Sequence, residues 1–293
     1  MAPKMGEHEL EWGRDLTELR ESTDIADDPN ALRERFEEEG YLFVRGFHDP
    51  DLVGAARGDV IAQLEDREML DPDEPPERAV IGPDGGGLFI DGPDWEEFSN
   101  LYELVEGEAV MDFFASFLEA LPITFDYKWG RAIERGGFTG FHYDAIFMGR
   151  GTDDLYTLWT PLGDVPIEMG PLVIAPGAER NERLRETYGR MDVDRDVFEA
   201  MFSKDPHDAI DVGGGPLATA DFEAGDALLF GQYNLHGSLS NQTDRYRISV
   251  DTRYQSVEEP VDGRWMGRDP VGHYAWPADD ETPMAELRDE WGV

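Results

Sequence analysis

Two histidines, an aspartate and an arginine have the types and the spacing of one shared metal site. His142 and Asp144 lie two residues apart in a segment that we predict to be a β-strand, and strand geometry puts both side chains on one face. His236 follows 94 residues later, and Arg247 lies eleven residues beyond it. A His-x-Asp pair alone is more often an incidental polar pair on a solvent-facing strand. The second histidine and the arginine, in this order, favour a site.

This set of residues also indicates which chemistry the site could perform. Two imidazoles and one carboxylate on one face of a metal ion leave three coordination positions open. That arrangement is typical of non-heme Fe(II) enzymes, in which the metal takes up a co-substrate and O₂ together. An arginine can pair with a carboxylate through two parallel hydrogen bonds. Arg247 could therefore hold a carboxylate-bearing co-substrate near the metal.

Short segments rich in aromatic and β-branched residues, separated by Gly and Asp turns, would position these side chains. We predict strands over 124–133, 140–147, 155–161, 171–175, 227–230 and 245–255. A charged segment at about 179–208 interrupts the strands and is predicted to be partly helical. Many short strands in one region indicate a β-sandwich or jelly roll.

Helices are predicted to precede this β-rich region. Residues 30–39 and 49–67 have helical spacing on either side of a predicted strand at 41–47. A further helix, ended by Pro122, presents one apolar face. That face consists of Val110, Phe113, Phe114, Phe117, Leu118 and Leu121. The fold class predicted is mainly β with flanking helices.

The length of 293 residues suits a single domain. We predict three parts: residues 1–122 with a lead-in, helices and a lid loop, residues 123–257 with the jelly-roll core and its insertion at about 179–208, and residues 258–293 with a loop and a short helix. The lead-in, residues 1–30, is polar and acidic and is expected to be loosely held.

Two loops are candidate lids over the site. Residues 70–95 hold clustered Pro, Gly and Asp, and residues 261–277 contain Trp265 and Trp276. Long loops in compact enzymes often close over substrates. For either loop, a solvated acidic loop without such a role is an equally good interpretation.

The composition excludes several functions. The chain has 65 acidic and 25 basic residues, a formal net charge of −40, so it would not bind nucleic acid or an anionic membrane through a basic patch. It has no cysteine, which excludes disulfides and thiolate chemistry. The spread of acid along the chain is typical of proteins from a high-salt cytoplasm, where ~1 M salt reduces the Debye length to about 3 Å. Without a signal-type or membrane-spanning run, we expect a cytoplasmic protein.

The chain resembles the phytanoyl-CoA dioxygenase family of Fe(II)- and 2-oxoglutarate-dependent oxygenases over roughly residues 30–260. The resemblance implies a double-stranded β-helix, the jelly-roll core of cupin-like proteins. It rests on Trp129-Gly-Arg131, Gly136-Gly137, His142-Tyr-Asp144, the run from Leu155 to Asp164, the run from Gly170 to Gly177, Gly225-Asp226, His236-Gly-Ser238 and Arg247.

The resemblance implies a role for each matching residue. His142, Asp144 and His236 would be the iron ligands, and Arg247 would bind the C5 carboxylate of 2-oxoglutarate. The residues expected to complete the co-substrate pocket are Ser238, Trp159 and Tyr127. The alternation of side chains along the strands adds two arginines, which we assign to the binding of an anionic substrate. These are Arg131, in phase with Tyr127, and Arg253, six residues after Arg247. The alternative is that either one is a surface arginine paired within the protein.

Two departures from the family pattern are visible. The usual Pro-Gly-Ser-His reads Pro176-Gly-Ala178-Glu179, which alters either a wall of the site or only a turn. The upstream co-substrate lysine has no counterpart, since no lysine lies between Lys4 and Lys128. The carboxylate Asp144 is retained, whereas related halogenases replace it with a small residue, so hydroxylation is favoured.

The function that the resemblance implies is hydroxylation of a small organic substrate, anionic or acyl, by Fe(II), 2-oxoglutarate and O₂ with release of succinate and CO₂. One alternative is a cupin-like metalloenzyme that does not use 2-oxoglutarate, and another is a non-catalytic jelly-roll protein that binds a metal or metabolite. The intact ligand set and Arg247 favour the oxygenase. Sequence leaves the substrate and the oligomeric state open.

Overall fold

Two β-sheets and a layer of helices make up the protein in a computed structural model that describes residues 1–91 and 97–293. Seven of the described strands form the larger sheet, in the order β4-β11-β8-β13-β7-β5 with β6 paired to the far end of β13. These strands are β4 (Tyr41–Val44), β5 (Leu88–Asp91), β6 (Pro122–Thr124), β7 (Trp129–Ile133), β8 (Tyr156–Pro161), β11 (Ala227–Gly231) and β13 (Arg247–Ser256).

The smaller sheet has four strands in the order β12-β9-β10-β3. They are β3 (Leu16–Glu18), β9 (Leu172–Ile174), β10 (Leu217–Thr219) and β12 (His236–Ser238). A short hairpin of β1 (Lys4–Met5) and β2 (His8–Glu9) precedes it. Side chains of both sheets, such as Trp159 and Phe230 from one and Ile174 from the other, share one buried cluster. The two sheets therefore face each other as in a jelly roll.

The helices lie before, between and after the strands. They are α1 (Pro29–Glu39), α2 (Pro50–Asp66), α3 (Ser99–Glu106), α4 (Glu108–Leu118), α5 (Ala145–Met148), α6 (Glu182–Glu186), α7 (Pro206–Gly213) and α8 (Met284–Trp291). The side chains of Asp28 and Asp49 cap α1 and α2, each of which has proline in its first turn. Among the described residues, none of these helices has the length and apolar character needed to cross a bilayer.

Strand β13 organises the larger sheet because its two faces have opposite character. Ile248 and Val250 pack with α2 and α3 in one apolar cluster, while the alternate residues point between the sheets. The inward side chains are Arg247, Ser249, Asp251 and Arg253. Register brings Arg253 opposite Thr157, Asp251 opposite Trp159 and Ser249 opposite Arg131. A polar face is thus built in the interior of the sandwich.

Most predicted elements are confirmed, with bounds that differ by a few residues. The segment 140–147 is the main exception. It forms only single bridges at Phe141 and His142, and Asp144 already has helical dihedral angles before α5 begins. His142 and Asp144 do share a face, but through a turn of the chain and not through strand alternation. The prediction of a strand here was wrong.

The apolar face predicted for the helix before Pro122, which corresponds to α4, is also too long. Helix α4 ends at Leu118 because Glu119 adopts a left-handed conformation with φ of 52°. Leu121 lies beyond the helix and is 70% exposed, whereas Phe114 and Phe117 are buried.

The expected loose lead-in is instead a packed part of the fold. Met5, Leu10 and Leu16 are buried in the largest apolar cluster. Strand β3 pairs in parallel with β10 at the edge of the smaller sheet. Backbone hydrogen bonds to the sheet and burial of sparse apolar residues hold an otherwise acidic segment. Strands β4 and β5 also join the larger sheet, and the division into three parts stays a prediction.

We expect Leu16→Ala to destabilise the protein by about 2–5 kcal/mol, because it removes a fully buried side chain between β10 and the core. Leu121→Ala, at an exposed leucine, is the matched control and should change stability by less than about 0.5 kcal/mol. Urea denaturation in concentrated KCl measures both. Equal stability of Leu16→Ala and the parent protein would show that the N-terminal strand is not packed in solution.

The two candidate lids differ in how much of them is described. In 70–95, strand β5 joins β7, and residues 92–95 lie outside the described residues. In 261–277, Trp265 is fully buried against Tyr127 and Trp129, whereas Trp276 borders a cavity. A lid role for either loop stays a prediction. The charged segment 179–208 contains α6, short 3₁₀ turns and the start of α7, as expected.

Candidate active site

His142 and His236 are brought together by a backbone bridge between their own residues. The amide of each donates to the carbonyl of the other, with N–O distances of 2.9 and 3.1 Å. Their ring centroids are 4.2 Å apart. Oδ1 of Asp144 lies 3.9 Å from Nε2 of each histidine. All three side chains are buried, and one ligand atom of each lies within 4.8 Å of the others. The three side chains predicted as metal ligands therefore lie close together.

The histidines are oriented to offer Nε2 to a metal ion. Nδ1 of His142 lies 3.0 Å from the carbonyl of Gly140, and Nδ1 of His236 lies 3.0 Å from the carbonyl of Asn234. A carbonyl only accepts hydrogen bonds, so each Nδ1 carries the proton and each Nε2 keeps its lone pair. Burial, with His236 nearby, lowers the pKa of His142 to about 3, and burial likewise lowers the pKa of His236. Both rings are therefore neutral near pH 7 and able to bind a cation.

The carboxylate of Asp144 is held by two donors. Oγ1 of Thr157 donates to Oδ2 at 2.5 Å, and Nη2 of Arg253 donates to Oδ1 at 2.9 Å. Burial opposes ionisation of this carboxyl, but the Arg253 charge and the two imidazoles outweigh it and lower the pKa of Asp144 to about 2. Asp144 is thus an ionised ligand with a fixed orientation.

Arg131 and Arg253, which we assigned to an anionic substrate, both bind carboxylates of the protein. Nε and Nη2 of Arg131 donate to the two oxygens of Asp251 at 2.9 and 3.2 Å. Nη1 of Arg253 donates to Asp251 at 2.7 Å. Asp251 therefore links both arginines, and Arg253 connects it to Asp144. Both arginines border the larger cavity, and a substrate-binding role for either stays a prediction.

Arg247 borders a separate cleft with both histidines and has no carboxylate partner among the described residues. Its side chain is 2% exposed, and no residue in the described part of the chain hydrogen-bonds its Nε. Burial, with repulsion from Arg131, lowers the pKa of Arg247 to about 10, so the guanidinium is still charged at neutral pH. A buried charge without a partner is costly. This side chain is suited to receive an anion.

The cleft beside Arg247 also contains Ser238 and Trp159, two of the predicted co-substrate residues. Oγ of Ser238 accepts a hydrogen bond from the Thr139 amide at 2.9 Å, which leaves its hydroxyl proton able to donate to a ligand. Both histidine ligands line the same cleft. Metal ligands, hydroxyl and guanidinium thus border one narrow space between the two sheets.

Tyr127 does not lie in this cleft, in contrast to our expectation. It borders the larger cavity, where its ring is 4.9 Å from Trp129 and 5.1 Å from Trp265. Trp129 and Arg131 border the same larger cavity, so Tyr127 does share a face with Arg131, and of these two residues only Arg131 also borders the cleft beside Arg247. Its position is that of a wall residue of the second cavity.

Sequence reasoning missed Thr157 and Asp251, which hold Asp144 and the two arginines. A signal for both was present. Thr157 is two residues from Trp159 in β8, and Asp251 lies four residues after Arg247 and two before Arg253 in β13, so each shares its neighbour's face.

The two departures from the family pattern are the sequence Ala178-Glu179 and the missing upstream lysine. Ala178 and Glu179 belong to a 3₁₀ turn, in which the Ala178 carbonyl accepts a hydrogen bond from Tyr143 at 2.7 Å. Among the described residues, neither borders the cleft beside Arg247. Lys128 is buried and pairs with Glu106 at 2.7 Å, so it does not replace the family's upstream lysine. The substitution thus alters a turn.

A larger cavity of about 540 Å³ opens on the other side of His142 and Asp144. Its remaining wall is mostly aromatic or sulfur-containing. The apolar lining consists of Phe89, Tyr127, Trp129, Phe138, Phe147, Met148, Met201 and Trp276. Such a wall can exclude water from the metal side.

Comparison with known proteins places this geometry among related sequences and structures. A model of the family described as phytanoyl-CoA dioxygenase (PhyH) matches residues 36–249. The chain is 24% identical over 257 residues to 1-deoxypentalenic acid 11-beta-hydroxylase of Streptomyces exfoliatus, which covers 82% of this chain and 86% of that protein.

Two crystal structures illustrate the shared fold. The epimerase SnoN in complex with Fe³⁺, alpha ketoglutarate and nogalamycin RO superposes with a TM-score of 0.58 at 19% identity, covering 88% of this chain and 98% of SnoN. EctD from S. alaskensis with 2-oxoglutarate and 5-hydroxyectoine superposes with a TM-score of 0.56 at 16% identity, covering 97% and 99%. At these identities the similarity establishes the jelly-roll fold.

Proposed function

The chain belongs to the phytanoyl-CoA dioxygenase family, and from this premise we propose that it is an Fe(II)- and 2-oxoglutarate-dependent dioxygenase that hydroxylates a small organic substrate. The observation that carries the proposal is Arg247. A buried guanidinium whose Nε has no hydrogen-bond partner among the described residues borders the same cleft as the two histidine ligands. A ligand that needs both a metal and a distal cation fits this cleft, and 2-oxoglutarate has that chemistry.

Iron would be held by His142, Asp144 and His236. Two neutral imidazoles and one ionised carboxylate suit Fe(II) and leave positions open for other ligands. When bound, iron and 2-oxoglutarate supply the oxidation of a substrate C–H bond by O₂, with release of succinate and CO₂. The protein's part is to hold Nε2 of both histidines and the carboxylate of Asp144 toward one point.

The C5 carboxylate of 2-oxoglutarate would be bound by Arg247 and Ser238. The guanidinium offers paired N–H donors and the hydroxyl offers one more. This pair favours the oxygenase over a cupin-like metalloenzyme that does not use 2-oxoglutarate, because such an enzyme would leave a buried charge without a partner. A non-catalytic binding protein is disfavoured by the intact ligand set and by the cavity beside it.

The substrate would occupy the larger cavity, against Asp144 and His142. Its aromatic wall keeps water from the reacting carbon. The curated relative from Streptomyces exfoliatus is named a hydroxylase, and Asp144 keeps the carboxylate that hydroxylation requires of this ligand set. Hydroxylation is therefore the reaction that we favour.

The experiment is an anaerobic absorbance titration in concentrated KCl, in which metal-free protein receives Fe(II) and then 2-oxoglutarate. We expect a visible charge-transfer band that needs both additions. Metals later in the Irving–Williams order must be removed first, since they can displace iron. Absence of a band in folded protein, together with no succinate in air, would overturn the proposal in favour of the other two functions.

Composition supports a further proposal about the setting of this enzyme. A net charge of −40 suits a cytoplasm with high salt, where the charges are screened. In dilute buffer the same charges repel, so thermal stability should rise with KCl. A melting temperature independent of KCl would contradict the high-salt proposal.

Arg253 provides a test of the ligand support. We expect Arg253→Met to weaken Fe(II) binding about tenfold or more, because Asp144 loses a donor 2.9 Å away and its counter-charge. Competition with a chromophoric chelator under anaerobic conditions, without 2-oxoglutarate, measures the affinity independently of turnover. Arg195→Met, at an exposed arginine paired with Asp196, is the control. If Arg253→Met bound Fe(II) as tightly as Arg195→Met does, Arg253 would not be needed to hold Asp144 as a metal ligand.

A further inference from the structure

The larger cavity has an apolar wall, and its charged groups are almost all paired within the protein. Arg131 and Arg253 bind Asp251, and Arg253 also binds Asp144. Nδ1 of His273 lies 2.9 Å from Asp194. These polar groups are already engaged in the protein, so they leave the cavity with little affinity of its own for an additional charge.

Lys204 is the exception among the charged residues that border this cavity. It lies in the segment before α7, is exposed at the cavity rim, and has no ion-pair or hydrogen-bond partner among the described residues. The other two lysines each bind a glutamate, Lys4 with Glu9 at 3.0 Å and Lys128 with Glu106 at 2.7 Å. An unpaired ammonium is notable in a chain with 65 acidic residues.

The acidic residue next to Lys204 in sequence forms no ion pair with it in the described part of the chain. Asp205 caps α7, and its Oδ1 accepts from the backbone amide of His207 at 2.9 Å and lies 2.9 Å from Nδ1 of the same residue. One carboxylate oxygen of Asp205 is thus engaged with His207 and not with Lys204. The ammonium is therefore left available at the rim of an apolar cavity.

The stem of Lys204 is packed close to the metal-binding segment. A Cβ atom placed on Gly140 would be 3.2 Å from Cγ of Lys204, and Gly140 is the residue whose carbonyl orients His142. The lysine thus lies along the wall between the cavity rim and the ligand cluster. Its stem can cover apolar surface while its ammonium reaches solvent.

We propose that the larger cavity binds an apolar carboxylic acid, with the single carboxylate paired to Lys204 at the rim and the apolar body directed toward Asp144 and His142. The inference rests on the proposed oxygenase function for the reaction, but the binding itself does not. A volume of about 540 Å³ is in the range of pockets that enclose drug-sized ligands.

The same charges disfavour a polyanionic thioester of coenzyme A. Of the residues that border the cavity in the described part of the chain, only Lys204 combines a positive charge with no acidic partner. The whole chain has a net charge of −40, and it should repel a ligand with several phosphates more strongly than it repels a monocarboxylate. The free acid is thus the form that we expect to bind.

Binding can be followed without turnover, because Trp129 and Trp276 border the cavity and their fluorescence should respond to a ligand. Protein loaded with Fe(II) and 2-oxoglutarate, kept anaerobic, is titrated with three acids of different shape: adamantane-1-carboxylate, abietate and palmitate. The primary amide of each acid is the uncharged comparison. We expect at least one acid to bind at least fivefold more tightly than its amide and than its coenzyme A thioester.

Variants assign the preference to the lysine. Lys204→Met keeps an apolar stem and should weaken binding of the preferred acid at least fivefold while changing binding of its amide less than twofold. Lys204→Glu should make the amide the better ligand. Lys4→Met, which removes a lysine paired with Glu9 outside the cavity, should leave both affinities unchanged.

Several results would overturn the inference. These are failure of all three acids to bind, equal affinity for acid and amide in the parent protein, tighter binding of the thioester, or equal weakening of acid and amide by Lys204→Met. The charge-transfer band with Fe(II) and 2-oxoglutarate would survive any of them. Conversely, acid-selective binding without that band would contradict the oxygenase and leave the carboxylate site standing.

Discussion

Arg247→Ala is expected to weaken 2-oxoglutarate binding on the order of 10²–10³-fold, equivalent to about 3–4 kcal/mol. The reason is that the variant would leave the C5 carboxylate of the co-substrate buried in the cleft without its cation. Affinity is measured anaerobically from the charge-transfer band as 2-oxoglutarate is added to the Fe(II) protein.

We expect this substitution not to destabilise the fold, in contrast to most substitutions in a protein core. No described residue bonds Nε of Arg247, so its removal deletes a buried charge and not an ion pair. We therefore expect an unchanged or raised melting temperature. Arg247→Lys, which keeps the charge and loses the paired donors, should give an intermediate affinity. Arg245→Ala, at an exposed arginine two residues earlier, should bind 2-oxoglutarate normally. Unchanged affinity in Arg247→Ala would remove Arg247 from the co-substrate site.

His236→Ala is expected to abolish Fe(II)-dependent turnover and the charge-transfer band. It removes one of three protein ligands and leaves Nε2 of His142 and the carboxylate of Asp144, which cannot hold the same coordination face. Succinate release coupled to product formation measures turnover, and metal analysis after gel filtration measures retained iron.

A matched control comes from a second group of residues that could hold a metal ion, His8, Asp205 and His207, near the start of α7. His207 is exposed, and His207→Ala removes a possible adventitious metal ligand outside the cleft. This variant should keep full turnover and one tightly bound iron. Turnover near the parent rate in His236→Ala, or its loss in His207→Ala instead, would show that the ligand assignment is wrong.

The sequence was informative wherever local spacing corresponds to local geometry. Helices α1 and α2 were predicted from helical spacing and, for α2, the early Pro50, and in the structure Asp28 and Asp49 cap them; all of these act within a few residues. Strand β13 was predicted from its aromatic and β-branched residues, and its inward face does carry Arg247 and Arg253. The family resemblance carried by His142, Asp144 and His236 is confirmed by the match over residues 36–249.

Local patterns failed where pairing across the chain decides the structure. Residues 140–147 contain β-branched and aromatic residues, yet after the single bridges at Phe141 and His142 the chain turns into α5. The N-terminal segment looks like solvated coil by composition, but β3 gains hydrogen bonds from β10, a strand about 200 residues away. Tyr127, which the family resemblance assigned to the co-substrate pocket, borders the larger cavity instead.

By itself, then, the sequence determined the ligand types, their order along the chain, the family and the mainly β class, because these depend on residue identity and short-range periodicity. Only the tertiary structure decided which charges are paired. Whether an arginine binds a substrate or an internal carboxylate depends on which side chains from distant strands meet it. Arg131 and Arg253 bind Asp251, whereas no carboxylate in the described part of the chain reaches Nε of Arg247. Strand register and burial set that difference. It distinguishes the two arginines that bind carboxylates of the protein from Arg247, which is the candidate for binding an anionic ligand.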